Sequence, residues 1–275
     1  MPGGGRCFRR DGKELWMSGE IYMAAAGALA CEKRLEILAN NLSNVGTTGY
    51  KKDTAYFETY LPEDGQIPEI DPRDLESSQA EIFWSKYYMV TDHSGGPLRQ
   101  TENSFDLAIT GDGFFCVQTP EGVRYTRSGD FTLDSQGVMV TKDGWPVLGE
   151  GGTMMVDSQG GSADPRRSQF TVDERGGVYV DGTQIDRLRI ADFEDRHRLM
   201  KAGANLFAPV DDAVVERPAD NYRVSQGYLE LSNVDAVQMM TELIEVLRGY
   251  ESYQKVIQSI DETNSQAINE VGASG

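Results

Sequence analysis

Two apolar rows, one near each end of the chain, restrict the fold of this sequence more than any other feature. Near the N-terminus Ile21, Ala24, Ala28, Cys31, Leu35, Leu38, Leu42 and Val45 follow one another at steps of three and four. Near the C-terminus Met239, Leu243, Val246, Tyr250, Tyr253, Ile257, Ile260, Asn264, Ala267 and Val271 do the same. That spacing keeps one stripe of a helix turned toward a partner helix. Glu32, Lys33, Arg34 and Glu36 lie off the first row. Asn233 or Asp235 is placed to cap the second helix, which only Gly249 interrupts. Burying one large apolar side chain gains about 1.5–3 kcal/mol over leaving it exposed, and neither row can collect this alone. An ordinary amphipathic helix packed on its own domain would explain either row singly. Two rows of matching period can also meet as a bundle, where Asn264 would cost stability and fix register.

Between the rows the texture changes. "LAITGDGFFCVQTPEGVRYTRSGDFTLDSQGVMVTKDGWPVLGEGG" reads as short strands broken by turns at "PEG", "DSQG" and "KDG". Phe114, Val117, Val123, Tyr125, Phe131, Leu133, Val138 and Val140 supply its apolar positions. A polar linker, "DSQGGSADPRRSQ", precedes further strands in "FTVDERGGVYV", "IDRLRIADF" and "NLFAPV". The expected class is α+β, with terminal helices around an inserted, mostly antiparallel β domain. The expected organisation is an N-terminal extension at 1–16, a helix and turn motif at 17–53, and an extended linker at 54–83. A β-rich domain at 84–228 and a C-terminal helix at 229–275 follow.

The end of the first helix is peculiar. "LANNLSNVGTTGYKK" puts Asn40, Asn41 and Asn44 into its last turns, where amides compete for backbone hydrogen bonds. The helix is expected to end at Gly46 or Gly49. Two uses for the amides stand side by side: bonding across to neighbouring copies, or capping their own helix.

The bulk properties exclude several classes. Forty-four acidic against 26 basic residues leave a net charge of −18, which opposes binding to phosphate backbones. Hydrophobic content of 39% lies below that of a compact enzyme. Thirty glycines against ten prolines indicate turns rather than a proline-rich disordered chain. Cys7, Cys31 and Cys116 are scattered and odd in number, so neither a disulfide framework nor a zinc site is indicated. The uncharged stretch Ile21–Cys31 is about half of the ~20 residues a spanning helix needs. Arg6, Arg9, Arg10 and Lys13 ahead of it give a signal-peptide flavour, and "ALAC" a lipoprotein one. Glu20, and helical periodicity straight through Cys31, oppose both.

No constellation for catalysis emerges. His93, in the turn-like "TDHSGG", and His197 lack a metal partner at helical spacing and read as surface histidines without a role. "GDGFF" is a tight turn feeding a strand, not a phosphate loop. The acidic turns do not match a calcium loop. The expectation is no enzyme, no cofactor, no metal and no small-molecule substrate.

Three blocks then carry a resemblance. "LANNLSNVGTTGYKK" is similar to the "ANNLANVNTTGFK" signature of the flagellar rod and hook protein family. "DLAITGDGFFCVQTPEGVRYTRSGDFTLDSQGVMVTKDGWPVLG" resembles the family's central block, and "GYLELSNVDAVQMMTELIEVLRGYESYQKVIQSIDE" its C-terminal block. They stand in the family's order and cover about half the chain. "VRYTRSGDFTL", "VLGEGG" and "YESYQKVIQSIDE" look most like the proximal-rod member, with the distal-rod member next. Asn40, Asn41, Leu42, Asn44, Thr47, Thr48, Gly49 and Lys51 match the signature. Gly46 stands where asparagine is usual, and either residue accepts a left-handed backbone. Tyr50 replaces a phenylalanine, and its hydroxyl needs a partner.

The resemblance implies a structural subunit of the basal-body rod, passing torque across the periplasm. It implies export through the flagellar type III apparatus without a cleaved signal peptide, and as partners other rod subunits and further copies of itself. The terminal helices would form a coiled-coil core on assembly. The assembly interface would draw on Leu35, Leu38, Asn40, Asn41, Leu42, Asn44, Val45, Met239, Leu243, Val246, Tyr250, Tyr253, Ile257 and Ile260, with the turn motif at Gly46, Thr47, Thr48 and Gly49. The competing readings are a secreted or lipid-anchored β-domain binding protein, with Cys31 carrying the lipid, and an enzyme using an unrecognised acidic site. The family begins close to its first helix, so Met17 is the expected initiator. Intact mass of the protein taken from its source cell is then expected to lack residues 1–16; finding them would remove that expectation.

Overall fold

The apolar rows form two long helices, α1 (Gly12–Ser43) and α2 (Ala236–Ala273). The computed structural model describes residues 12–58, 86–156, 169–211 and 213–273. The expected extension up to residue 11, most of the 54–83 linker and most of the polar linker after Val156 lie outside the described residues. Residues 54–58, expected as linker, are instead strand: Asp53–Glu58 pairs with Lys86–Thr91 in a two-stranded ribbon. The run "DTAYFE" is short, and its strand character comes from a partner far along the sequence.

α2 begins directly after Asp235, one of its two expected caps. α1 ends at Ser43, earlier than expected, and the chain goes on through turns. The amides of Asn44 and Val45 reach back only three residues, to the carbonyls of Asn41 (3.1 Å) and Leu42 (3.3 Å), the tightening typical of a last turn. The left-handed residue is Gly49, at φ 68°; Gly46 does not have a positive φ.

The described residues fall into two compact units, one of residues 12–40, 55–58, 86–89 and 237–273, the other of 41–54 and 90–236. Within the first, the helices touch. Gly27 lies under the ring of Tyr253, leaving no room there for a Cβ. The Cys31 sulfur sits 3.7 Å from where a Cβ on Gly249 would be, and Arg34 approaches Glu242 at 4.0 Å. Contacts that climb α1 descend α2, so the pair is antiparallel, and small residues on one helix accept larger ones on the other. Ala24, Leu38, Met239 and Val246 of the two rows are buried.

The second unit is built on a six-stranded sheet in the order Leu199–Lys201, Leu206–Pro209, Gly122–Thr126, Phe114–Thr119, Ile190–Phe193, Glu216–Pro218. All its pairings are antiparallel. The central strand explains why the sequence reads "FFCV" without alternation. Side chains of a strand point to opposite faces in turn, and here both faces are covered. Phe115 and Val117 join one core with Leu107, Phe131, Met139 and Val178. Phe114 and Cys116 join another with Tyr125, Phe193 and Phe207. Burial drives the Cys116 thiol up to about 12 and leaves it an inert apolar side chain. The expected turns are present: Gly122, Gly137 and Gly144 each take positive φ at "PEG", "DSQG" and "KDG".

Phe115 is fully enclosed and meets Phe131 edge to face at 5.1 Å. Phe115→Ala is expected to cost about 3–5 kcal/mol, read from the urea midpoint of the β unit.

Candidate functional site

The most concentrated buried chemistry lies in the β unit, where the chain following α1 meets the chain preceding α2. Its centre is the carboxylate of Glu230, which is 1% exposed. Oε1 accepts from the Lys51 ammonium at 2.5 Å and from the Gly96 amide at 2.8 Å; Oε2 accepts from the Arg127 guanidinium at 3.2 Å. Lys51, fully buried, also donates to the Ser94 carbonyl at 2.6 Å. Arg127 donates further to the carbonyls of Ile109 (3.1 Å) and Gly111 (2.6 Å) and lies over the Phe114 ring. Burial pulls both cations below their ordinary pKa values, and Glu230 opposes that pull in each case.

A second pair adjoins this one. Lys201 donates to Asp53 Oδ2 at 2.7 Å and to the Lys51 carbonyl at 2.6 Å, with its ammonium 4.0 Å above the ring of Tyr50. Thr91 donates to Asp53 Oδ1. The Tyr50 hydroxyl has the partner its position demanded: it donates to Asn41 Oδ1 at 3.0 Å, and burial raises its pKa.

This answers the riddle of the asparagines for one of them. Asn41 is buried; its Nδ2 donates to the Asp53 carbonyl at 2.7 Å and its Oδ1 also accepts the Asp53 amide at 2.9 Å. The side chain is buried and bonds within its own chain, so the expectation that Asn41 reaches a neighbouring copy is corrected. Asn44 accepts from the Thr47 hydroxyl and backbone amide, both at 3.1 Å, and is part of the turn. Asn40 is exposed.

The turn motif is fastened from several sides. Gly49 donates its amide to the Glu230 carbonyl at 2.7 Å and presses on the Arg127–Ser128 backbone, where a Cβ would collide. Asn205 donates to the Thr48 carbonyl at 2.5 Å. On the other chain Asn233 accepts from the Lys52 amide at 2.8 Å and donates to the Asp92 carbonyl at 2.9 Å.

The remaining expected interface residues divide by exposure. Leu38, Met239 and Val246 are buried in the lone chain, Leu35, Leu42, Leu243, Tyr250, Ile257 and Ile260 are half-buried, and Val45 and Tyr253 are exposed. Beside the α2 row runs another one, Val237, Met240, Ile244 and Leu247, and it is exposed. His93, expected on the surface, is a correction: both its ring nitrogens are enclosed, and its ring meets those of Phe114 and Phe207 at 5.6 and 5.2 Å.

Sequence reasoning passed over Glu230 and Arg127 as ordinary polar positions of "YLELS" and "TRSGD". The signal was faint: each is flanked by residues that read as strand or turn, and no short-range pattern joins positions so far apart. Among the described residues no group of three or more His, Cys, Asp or Glu is placed to hold a metal ion. Nor is any helix among them long and apolar enough to cross a membrane.

Comparison with known proteins decides what kind of chain this is. Family models described as "Flagella basal body rod protein", "Flagellar hook protein FlgE/F/G D1 domain" and "Flagellar basal body rod FlgEFG protein C-terminal" match residues 21–51, 108–180 and 225–270. A flagellar basal-body rod protein FlgF of Caulobacter vibrioides is 31% identical over 93% of this chain and 99% of its own length. The chain belongs to the flagellar basal-body rod protein family. A FlgG of Bacillus subtilis is 32% identical over 92% of the chain and 99% of its own, and a FlgG of Agrobacterium fabrum is 35% identical over 89% and 96%. The outer two matched segments hold the chain that leaves α1 and the chain that enters α2, and the middle one holds the strands from Phe114–Thr119 to Gly177–Val180.

Removing one partner of a buried ion pair leaves the other charge stranded. Glu230→Gln, which strands Lys51 and Arg127, is expected to lower the stability of the β unit by about 3–5 kcal/mol in urea unfolding. Lys33→Ala, which breaks the exposed pair with Glu36, is expected to change it by less than about 1 kcal/mol.

Proposed function

We propose that this chain is a structural subunit of the flagellar basal-body rod that polymerises through its terminal helices and carries torque across the periplasm. The observation that carries this reading is the exposed apolar row Val237, Met240, Ile244 and Leu247. Water-facing apolar surface at helical spacing has a use only if another protein surface covers it. In the assembled rod, neighbouring copies and other rod subunits cover that row, together with the outer parts of Leu35, Leu42, Leu243, Tyr250, Tyr253, Ile257 and Ile260. Leu38, Met239 and Val246 contribute from inside the helix pair, and Asn40, Asn44 and Val45 stand at its end. The helices of successive subunits then form a coiled-coil core, with the β units outside it. Head-to-tail contacts that do not close on themselves extend into a filament without any further device.

Of the two relative types, "VRYTRSGDFTL" and "YESYQKVIQSIDE" support the FlgF type. Export through the flagellar type III apparatus without a cleaved signal peptide completes the reading. The net charge of −18 keeps free subunits apart before assembly.

Two variants test it in purified basal bodies. A chain lacking residues 240–275 is expected to be absent from the rod while its β unit stays folded. Ile244→Asp is expected to reduce incorporation at least about tenfold, the loss set by stranding a charge in a buried interface, with the unfolding midpoint of the free protein unchanged. Normal incorporation of either would remove the terminal helices from the assembly mechanism.

A further inference from the structure

The short segment Asp92–Pro97 is held on both sides in the β unit. Its Asp92 amide donates to the Lys52 carbonyl at 2.9 Å, and the Lys51 ammonium donates to the Ser94 carbonyl at 2.6 Å. From the other chain, Asn233 donates to the Asp92 carbonyl at 2.9 Å, and the Leu231 amide donates to the Pro97 carbonyl at 2.9 Å. The Gly96 amide donates to Glu230 at 2.8 Å, and Gly96 lies so close to the Leu231 carbonyl that no Cβ would fit. The segment is thus a strap between the chain following α1 and the chain preceding α2.

Near the start of this strap, His93 packs edge-on against both Phe114 and Phe207, which also meet each other at 5.6 Å, and neither ring nitrogen is bonded to protein. A neutral imidazole tolerates that position; an imidazolium has two N–H groups to satisfy there and no acceptor for either. We propose that Asp92–Pro97 is an acid-released latch with His93 as its trigger. Protonation drives the ring away from the two phenylalanines and loosens the strap that joins the two segments.

The charges around the ring act in the same direction. Lys51, His197, Arg196 and Arg127 all disfavour a further positive charge on His93, after burial, which is the larger influence; together they hold it down to about 4. The carboxylates nearest in the network are already engaged. Glu230 is held by Lys51 and Arg127. Asp53 is held by Lys201, Asp112 and Asp192 by Arg196, and Asp92 by Lys52 and the Ser94 amide. Asp92 stays ionised into acid: burial pulls its pKa up, but the Ser94 hydrogen bonds and Lys52 outweigh that and lower it.

The sign follows from linkage. A histidine whose folded pKa lies below its unfolded value near 6.5 binds more protons unfolded between the two, so its contribution is complete above about pH 6.5 and is lost as pH falls toward 4. Between pH 7 and pH 4 the effect on the local opening constant is about a hundredfold.

The test uses the full chain and its two histidines, His93 and His197. Ring-proton NMR titration is expected to place one of them well below 6.5. Hydrogen exchange, corrected for intrinsic rates, is expected to show protection at the Asp92, Gly96 and Leu231 amides falling about a hundredfold between pH 7 and pH 4. The Phe115 and Gln118 amides of the central sheet are expected to hold theirs. His93→Phe is expected to keep the strap protected across the same range. Ordinary titration of both histidines near 6.5 would overturn the proposal, as would unchanged strap protection or an unaltered pH response in His93→Phe. Should that variant not fold, the titration and exchange of the unaltered chain decide the matter alone.

Discussion

One buried carboxylate organises the β unit. Glu230 gathers Lys51, Arg127 and the Gly96 amide around itself, and its own carbonyl takes the Gly49 amide. Those partners come from three places in the sequence, the turn after α1, the Asp92–Pro97 strap and the end of the strand before Arg127, and Glu230 itself lies in a fourth, the approach to α2. An ion in a low-dielectric interior is costly unless every lone pair finds a donor. The arrangement therefore forms only when all four segments are in register, which makes it a determinant of geometry more than a source of net stability.

This constraint explains why the signature around α1's end has the composition it has. Leucine would serve a helix end as well as Asn41, but only an amide can bond Tyr50, the Asp53 amide and the Asp53 carbonyl together. Gly49 needs a left-handed backbone and close approach to Arg127–Ser128 at once, a combination that only glycine supplies. Lys51 is long enough to reach Glu230 while its stem is buried. The motif is a piece of the β unit's wall as much as the end of a helix.

The helical unit obeys a different logic. Its two rows meet in one chain through small residues, Gly27 against Tyr253 and Gly249 near Cys31. That close approach leaves Val237, Met240, Ile244 and Leu247 outside. The two apolar rows lie about 100° apart on one helix, and only the first meets a partner within the chain.

The sequence by itself determined the element types, because periodicities of 3.5 and 2 are local and survive without knowledge of partners. It also determined the family, since three ordered blocks occupy half the chain, and the need of Tyr50 for a hydroxyl partner. It did not determine that Asn41 turns inward, that the ring nitrogens of His93 in "TDHSGG" are enclosed, that "DTAYFE" is a strand, or that Glu230 meets Lys51. Those depend on residues brought together across up to 179 positions of chain. No local pattern records such a meeting, because a charge reads as solvent-facing until the tertiary structure supplies its counter-ion. Only the folded chain decided which polar residues were interior.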